Sequence, residues 1–341
     1  MKIKKLWGAI GVLLLTVCVS SCVQAREKEP VDSGNDDPHV HTSASAVKEN
    51  VTEPTCEQEG SYESVVYCSV CGEELSRTEE TVPITHQYED EKCLLCGQEK
   101  PSDGLNFKSN GNKTCSVSGI GSCKDHYIKI PTVSPEGDTV TGIADRAFQQ
   151  CEGITGVRIP DTVTKIGDYA FSHCTGLQEI SLPDSLKTIG KYAFLECTGL
   201  TDVKLPDSVI SLQTGAFQNC SELISVTLPK NITYIADFLF TNCGELVNVV
   251  IPSHVTMIGQ QSFQHCKSLE YIVIPASVKT IEQFAFMNCS GLERMRFEAP
   301  REWYYYDPQS GENIGYMEPA SEDMNALNLT FRWCEYTFRR Q

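Results

Sequence analysis

Two cysteine pairs, Cys68-Ser-Val-Cys71-Gly72 and Cys93-Leu-Leu-Cys96-Gly97, stand 21 residues apart. Paired thiolates at C-x-x-C spacing, with a second pair about twenty residues on, can wrap a tetrahedral zinc. The glycine behind each pair lets the backbone turn tightly. Cys68, Cys71, Cys93 and Cys96 form one ligand set for a structural zinc. His41, Cys56, Cys68 and Cys71 form another, which leaves His86, Cys93 and Cys96 as an incomplete second site. Disulfides are the competing chemistry if the chain is exported to an oxidising medium. No thioredoxin-like βαβ pattern surrounds either pair, which argues against a redox enzyme.

A second cysteine chemistry is indicated at the start of the chain. Lys2, Lys4 and Lys5 precede an apolar run from Leu6 to Val19, which is short for a membrane span and suited to an export signal. The run ends in Val19-Ser-Ser-Cys22, small residues before a cysteine, which resembles a bacterial lipobox. Cys22 is the expected lipidation site, and Cys18, behind the bulky Val17, is the weaker candidate. A lipid there would anchor the chain without spanning the membrane. Removing residues 1–21 takes away three lysines and no acid, so a formal charge of −17 becomes more negative still. That balance argues against nucleic-acid partners, because phosphate binding needs a basic face. Residues 22–50 are polar and poor in large apolar side chains, and read as a disordered tether.

The third group of cysteines is periodic. Cys151, Cys174, Cys197, Cys220, Cys243, Cys266 and Cys289 recur every 23 residues, as do Phe148, Phe171, Phe194, Phe217, Phe240, Phe263 and Phe286. An apolar alternation follows each cysteine, from Val157/Ile159 to Met295/Phe297, and proline closes it at 160, 183, 206, 229, 252 and 275. A fixed period of this length predicts a solenoid in which stacked coils share one core. Each alternating pair is a short strand, ended by a proline that cannot donate to the next ladder bond. The second half of each coil predicts turns with short helical or 3₁₀ pieces. Seven coils stacked about 4.8 Å apart span roughly 30 Å. One cysteine per coil at an inward position reads as a small buried hydrophobe, because ligands facing the same way along a stack cannot close a tetrahedron.

This period and wording resemble the BspA-like leucine-rich repeats of bacterial surface proteins, and the likeness covers about 138–297. It implies an α/β solenoid, a leucine-rich-repeat right-handed superhelix of 23-residue coils, preceded by a small β-rich cysteine module. The stretch TCSVSGIGSCKDHYIKIP at 114–131 is similar to the family's opening hairpin, with Thr132 to Gly137 as an insertion after it. Within that hairpin Cys115 and Cys123 could pair. FEAPREWYYYD and LTFRWCEYTFRR resemble the family's C-terminal cap, where Trp303, Tyr304, Tyr305, Trp333, Tyr336 and Phe338 would cover the open core edge and Cys334 would pack. The segment from Pro54 to Gly97 is similar to the zinc-ribbon-like PTCTEEG…CSVCG…CxxCG modules of exported repeat proteins. The expected order is signal 1–21, tether 22–50, cysteine module 51–100, N-terminal cap with a partial repeat 105–150, repeats 151–297 and C-terminal cap 298–341.

No G-x-S-x-G, H-E-x-x-H, Walker A or G-x-G-x-x-G motif occurs, and the seven histidines are scattered, so no enzyme is expected. Binding on a solenoid uses the outward side chains of its repeated strands. Here these include Arg158, Glu179, Lys204, Thr227, Val250, Tyr271, Val273, Arg294 and Arg296. The early positions are polar, whereas Val250, Tyr271 and Val273 form an apolar centre beside two arginines, a composition suited to protein recognition. The family resemblance implies, from some of its members, attachment to host matrix proteins or to other cells. The expected protein is a monomeric, lipid-anchored bacterial surface protein that recognises an extracellular protein or a surface glycan, touching the membrane only through its anchor. The competing reading is an envelope spacer or a subunit that captures glycans or peptides.

Overall fold

The computed structural model describes residues 42–52, 60–82, 88–89, 92–93, 100–299, 303–317, 329–330 and 334–340. The chain divides into two compact units, with boundaries at 51/52, 60/61 and 80/81. The first holds a three-stranded sheet in the order β1 (Val47–Thr52), β2 (Gly60–Tyr67), β3 (Glu74–Val82). Val65 is buried on it, while β1 and β3 are largely exposed. Its polar face is tied by Arg77, which meets Glu74 at 2.7 Å, Glu49 at 3.3 Å and also Glu63. The Arg77 guanidinium holds the Glu74 carboxyl below its ordinary range. The expected tether ran to residue 50, but β1 starts at Val47 and Ser43 bridges Cys68. This stretch is ordered because Lys48 lies over the Tyr62 ring and Glu49 accepts from the Tyr67 hydroxyl at 2.7 Å, side-chain pairings that mean composition does not reveal.

The second unit contains a short hairpin, β4 (Tyr88–Glu89) and β5 (Lys92–Cys93), and then the solenoid. The solenoid begins with a hairpin of β6 (Asn106–Gly111) and β7 (Thr114–Gly119), turning at Asn112 and Lys113, both with φ near 55°. The stretch 114–131 is therefore not itself a hairpin. β7 runs parallel to β9 (Thr139–Ile143) in one sheet, while β8 (Tyr127–Lys129) crosses to start another. Cys115 and Cys123 both carry free thiols, and Cys115 donates to the Asp138 carbonyl at 3.6 Å, so the expected pairing does not form.

From β8 onward each coil contributes one rung to three ladders. The first is the alternating strand: Tyr127, Gly156 and Glu179 align in parallel register, and so do Asp202, Ser225, Asn248, Tyr271 and Arg294. The second is a two-residue strand after each proline turn, as in Lys165–Ile166, Thr188–Ile189 and Ser211–Leu212. The third is made of turns. Tyr169, Phe171 and His173 donate their amides to Lys191, Ala193 and Leu195 of the next coil at 2.7–2.8 Å. Presenting alternate amides outward along the stack puts two residues per coil in the left-handed region, such as Tyr169 (φ 56°) and His173 (φ 60°). The coils therefore carry little helix.

The core is a column. The seven phenylalanine rings stack with centroids 5.1–5.9 Å apart, all buried. Beside them run the cysteines, and their position is more specific than that of a small hydrophobe. From Cys174 to Cys289 each thiol donates to the phenylalanine carbonyl of the preceding coil at 2.9–3.2 Å. That carbonyl also accepts its own coil's cysteine amide, as in Cys197 N to Phe194 O at 3.2 Å. The C-terminal end is closed by an antiparallel extension. Thr337–Arg340 pairs with Thr280–Ile281 and with Trp303–Tyr306. Trp303 is buried edge-on to Phe297 at 5.3 Å, and Tyr305 meets Tyr336 at 5.3 Å and Phe338 at 6.3 Å. Trp333 lies outside the described residues.

Candidate recognition face

The outward face of the first ladder is set by strand alternation. Val203, Val226, Val249, Ile272 and Met295 point into the core, so their neighbours on both sides point out. Arg158, Glu179, Lys204, Thr227, Val250, Arg294 and Arg296 are exposed, and Tyr271 and Val273 are half-buried. The parallel register brings Lys204 and Thr227 onto one row, with Val273 and Arg296 further along it, and places Tyr271 beside Arg294.

Val250 is the most exposed apolar residue of the patch, at 75%. Ile224 and Val247, one residue before their strand positions, are exposed at 47% and 39%. They occupy the same place in consecutive coils, linked by Val247 N to Ile224 O at 3.1 Å. Ile224 and Val247 were not among the expected face residues. Only the strand positions had been counted, and the signal was available as two large apolar residues where other coils have Thr155, Gln178 and Thr201.

The arginines do more than rim this patch. The Arg294 guanidinium lies over the Tyr271 ring, 5.2 Å from its centroid, and Arg296 Nε donates to the Tyr271 hydroxyl at 3.1 Å. Arg296 also approaches Glu298 at 3.9 Å. Tyr271 is thus held in one place before any partner arrives, which lowers the ordering cost of binding. Tyrosine and arginine are the residue types that dominate binding energy at protein interfaces.

Cys68 and Cys71 share one turn after β2. The Val70 amide donates to Cys68 Sγ at 3.4 Å, Gly72 N to Cys68 O at 2.9 Å, and Gly72 takes φ 75°. The left-handed glycine makes the tight return. Cys68 is buried and Cys71 exposed. Cys93 is buried on the β4–β5 hairpin of the second unit. Cys96, His41, Cys56, His86 and the lipidation candidates Cys18 and Cys22 lie outside the described residues. Among the described residues no group of three or more histidines, cysteines or acids is placed to hold a metal.

The repeat thiols are poor nucleophiles. Burial pushes Cys174, Cys220 and Cys289 up to about 12, and Cys197, Cys243 and Cys266 also move well above the ordinary value. His173 Nδ1 lies 2.8 Å from Glu196 Oε2, and that glutamate is in turn bonded by Asn219 at 3.3 Å, a polar ladder along the turn side. His254 is exposed.

Residues 141–270 and 256–301 match the family described as BspA type leucine rich repeat region, in six copies. A leucine rich cell surface protein from Faecalibacterium prausnitzii is 33% identical over 62% of this chain and 59% of its own length, with a TM-score of 0.55. This chain therefore spans less than two thirds of that protein. A leucine rich repeat protein from T. pallidum is 27% identical, covering 57% of this chain and 91% of that one, with a TM-score of 0.41. One from Bacteroides ovatus is 24% identical, covering 58% and 70%, with a TM-score of 0.40. No curated protein matches.

Proposed function

We propose that the chain is an exported, lipid-anchored surface protein that adheres to an extracellular protein through the late face of its strand ladder. The observation that carries this reading is the Tyr271 ring fixed by Arg294 and Arg296, with Val250 exposed on the same outward strand positions. The repeat match and the likeness to a leucine rich cell surface protein support a surface, protein-binding role. Recognition here is non-enzymatic: the face presents an apolar strip and a locked aromatic. The anchor is Cys22, and a Cys22→Ala chain that still fractionates with membranes would contradict it. A structural zinc in the 51–100 module, on the Cys68, Cys71, Cys93 and Cys96 set read from the sequence, belongs to the same proposal. The test of function is an array of extracellular-matrix proteins and glycans probed with the full chain. A specific protein should bind, and Tyr271→Ala with Arg294→Glu and Arg296→Glu should weaken it at least tenfold. Equal binding by that variant would remove the face from consideration.

A further inference from the structure

At the other end of the ladder the N-terminal cap encloses an open cleft of about 670 Å³, a volume that suits a ligand of one or two rings. Its walls are backbone-pinned. Ser102 N donates to Lys129 O at 2.8 Å and the Lys129 amide donates back to Ser102 Oγ at 3.0 Å, while Ser122 N donates to Gly104 O at 2.9 Å. Three lysines line the cleft, Lys100, Lys124 and Lys129, with two carboxylates, Asp103 and Asp125, and the Tyr127 ring. In a chain of formal charge −17, this is a local excess of cations. It continues along the sheet, because Arg158 sits beside Lys129 in register.

The tyrosine is placed by its neighbour. A Cβ at position 156 would lie 2.6 Å from Cδ2 and Cε2 of Tyr127, so the ring packs closely against Gly156 and needs the glycine there. Each component suits a different part of one ligand. Lysines pair with an acid group. The Asp103 and Asp125 oxygens accept from hydroxyls, and would repel a ligand that offered only anionic oxygens. An aromatic face receives the C–H side of a sugar ring. Lys100 is held by Asp103 at 2.9 Å, but both side chains are well exposed, at 48% and 81%, and such a pair exchanges for a ligand at little cost.

We propose that this cleft binds an acidic sugar unit, a ring bearing a carboxylate or a sulfate, and that Lys129 and Arg158 carry the next acid group along the sheet. The site lies away from Tyr271 in the ladder and does not depend on the protein-recognition reading. The experiment is calorimetric titration of the full chain with an oligogalacturonate, its methyl ester, a sulfated oligosaccharide, poly-glutamate and inorganic phosphate. An acidic sugar should bind, at least tenfold more tightly than the ester, with affinity falling as salt rises. Lys124→Glu with Lys129→Glu should abolish it at unchanged melting temperature, and Gly156→Val, which displaces the ring, should weaken it at least fivefold. The oligogalacturonate and sulfated arms decide which acid is preferred, and binding by either supports the site. No binding by either, equal binding of the ester, or equal binding of poly-glutamate or phosphate would overturn the proposal.

Discussion

Raising the pH should unfold this solenoid in a steep and calculable way. Six thiols, from Cys174 to Cys289, are buried in the column and donate to carbonyls of the preceding coil. Burial raises them from an ordinary 9.0, to about 12 for Cys174, Cys220 and Cys289 and well above the ordinary value for Cys197, Cys243 and Cys266. Below pH 9 both the folded and unfolded chains keep these protons, and the full stability is present. Between 9 and 12 the unfolded chain loses protons that the folded chain retains, so each thiol favours unfolding by about 1.4 kcal/mol per pH unit. At pH 10 six thiols together remove on the order of 8 kcal/mol, comparable with the whole stability of a typical domain of about 5–15 kcal/mol. The assay is the urea midpoint in reducing buffer at pH 8, 9, 10 and 10.5, read by circular dichroism, with thiolate absorbance followed in parallel. The midpoint should hold to pH 9 and then collapse, with thiolate appearing only as the fold is lost. A midpoint unchanged at pH 10.5, or thiolates forming in the folded chain near the ordinary value, would refute the reasoning.

Other consequences can be checked singly. Cys220→Ala loses a buried sulfur and one hydrogen bond, at a cost of about 2 kcal/mol, since the Phe194 carbonyl keeps its Cys197 amide. Cys220→Ser retains a donor and should cost about 1 kcal/mol less than the alanine in denaturant titration; a serine that is worse than alanine would restore the plain packing reading. Phe217→Ala breaks the ring column and should cost about 3–5 kcal/mol in the same assay. At Gly190 an added Cβ would meet Asp168 Oδ1 at 2.5 Å and its amide at 2.7 Å, so Gly190→Ala should cost about 1–3 kcal/mol, seen as a lower urea midpoint. For the cysteine module, elemental analysis of the full chain should find zinc, lost in Cys68→Ser with Cys71→Ser; a chain free of metal with its thiols oxidised would favour disulfides.

The repeat was legible because burial repeats with the sequence: Phe171, Cys174 and Leu177 recur every 23 residues and all three are fully buried. What each buried group touches was not legible. Cys174 reaches Phe148, 26 residues back, and that distance has meaning only once the coils are in register. Lys165–Ile166 was not read as a strand because two residues carry no alternation, and their pairing comes wholly from the neighbouring coils. The turn side was expected as turns with short helical or 3₁₀ pieces; it forms turns closed by i→i−3 bonds such as Cys174 N to Phe171 O at 3.1 Å, while alternate amides bond to the next coil, a choice made by stacking rather than by local propensity. The β6–β7 hairpin escaped although Asn110-Gly111, with Gly111 at φ 82°, directly precedes its Asn112–Lys113 turn, a signal the sequence carried. On the recognition face the residue types were readable, but the clamp on Tyr271 joins positions 23 and 25 residues apart and needed the ladder to appear.

The most direct measurement of the central claim is binding of the full chain to an extracellular-protein array, with the Tyr271→Ala, Arg294→Glu, Arg296→Glu variant and a Val250→Asp variant alongside. A specific protein ligand, weakened at least tenfold by either variant at unchanged melting temperature, is the predicted result. A protein ligand held equally well by both variants would contradict the assignment of this face, and an array on which no protein binds would contradict adhesion itself.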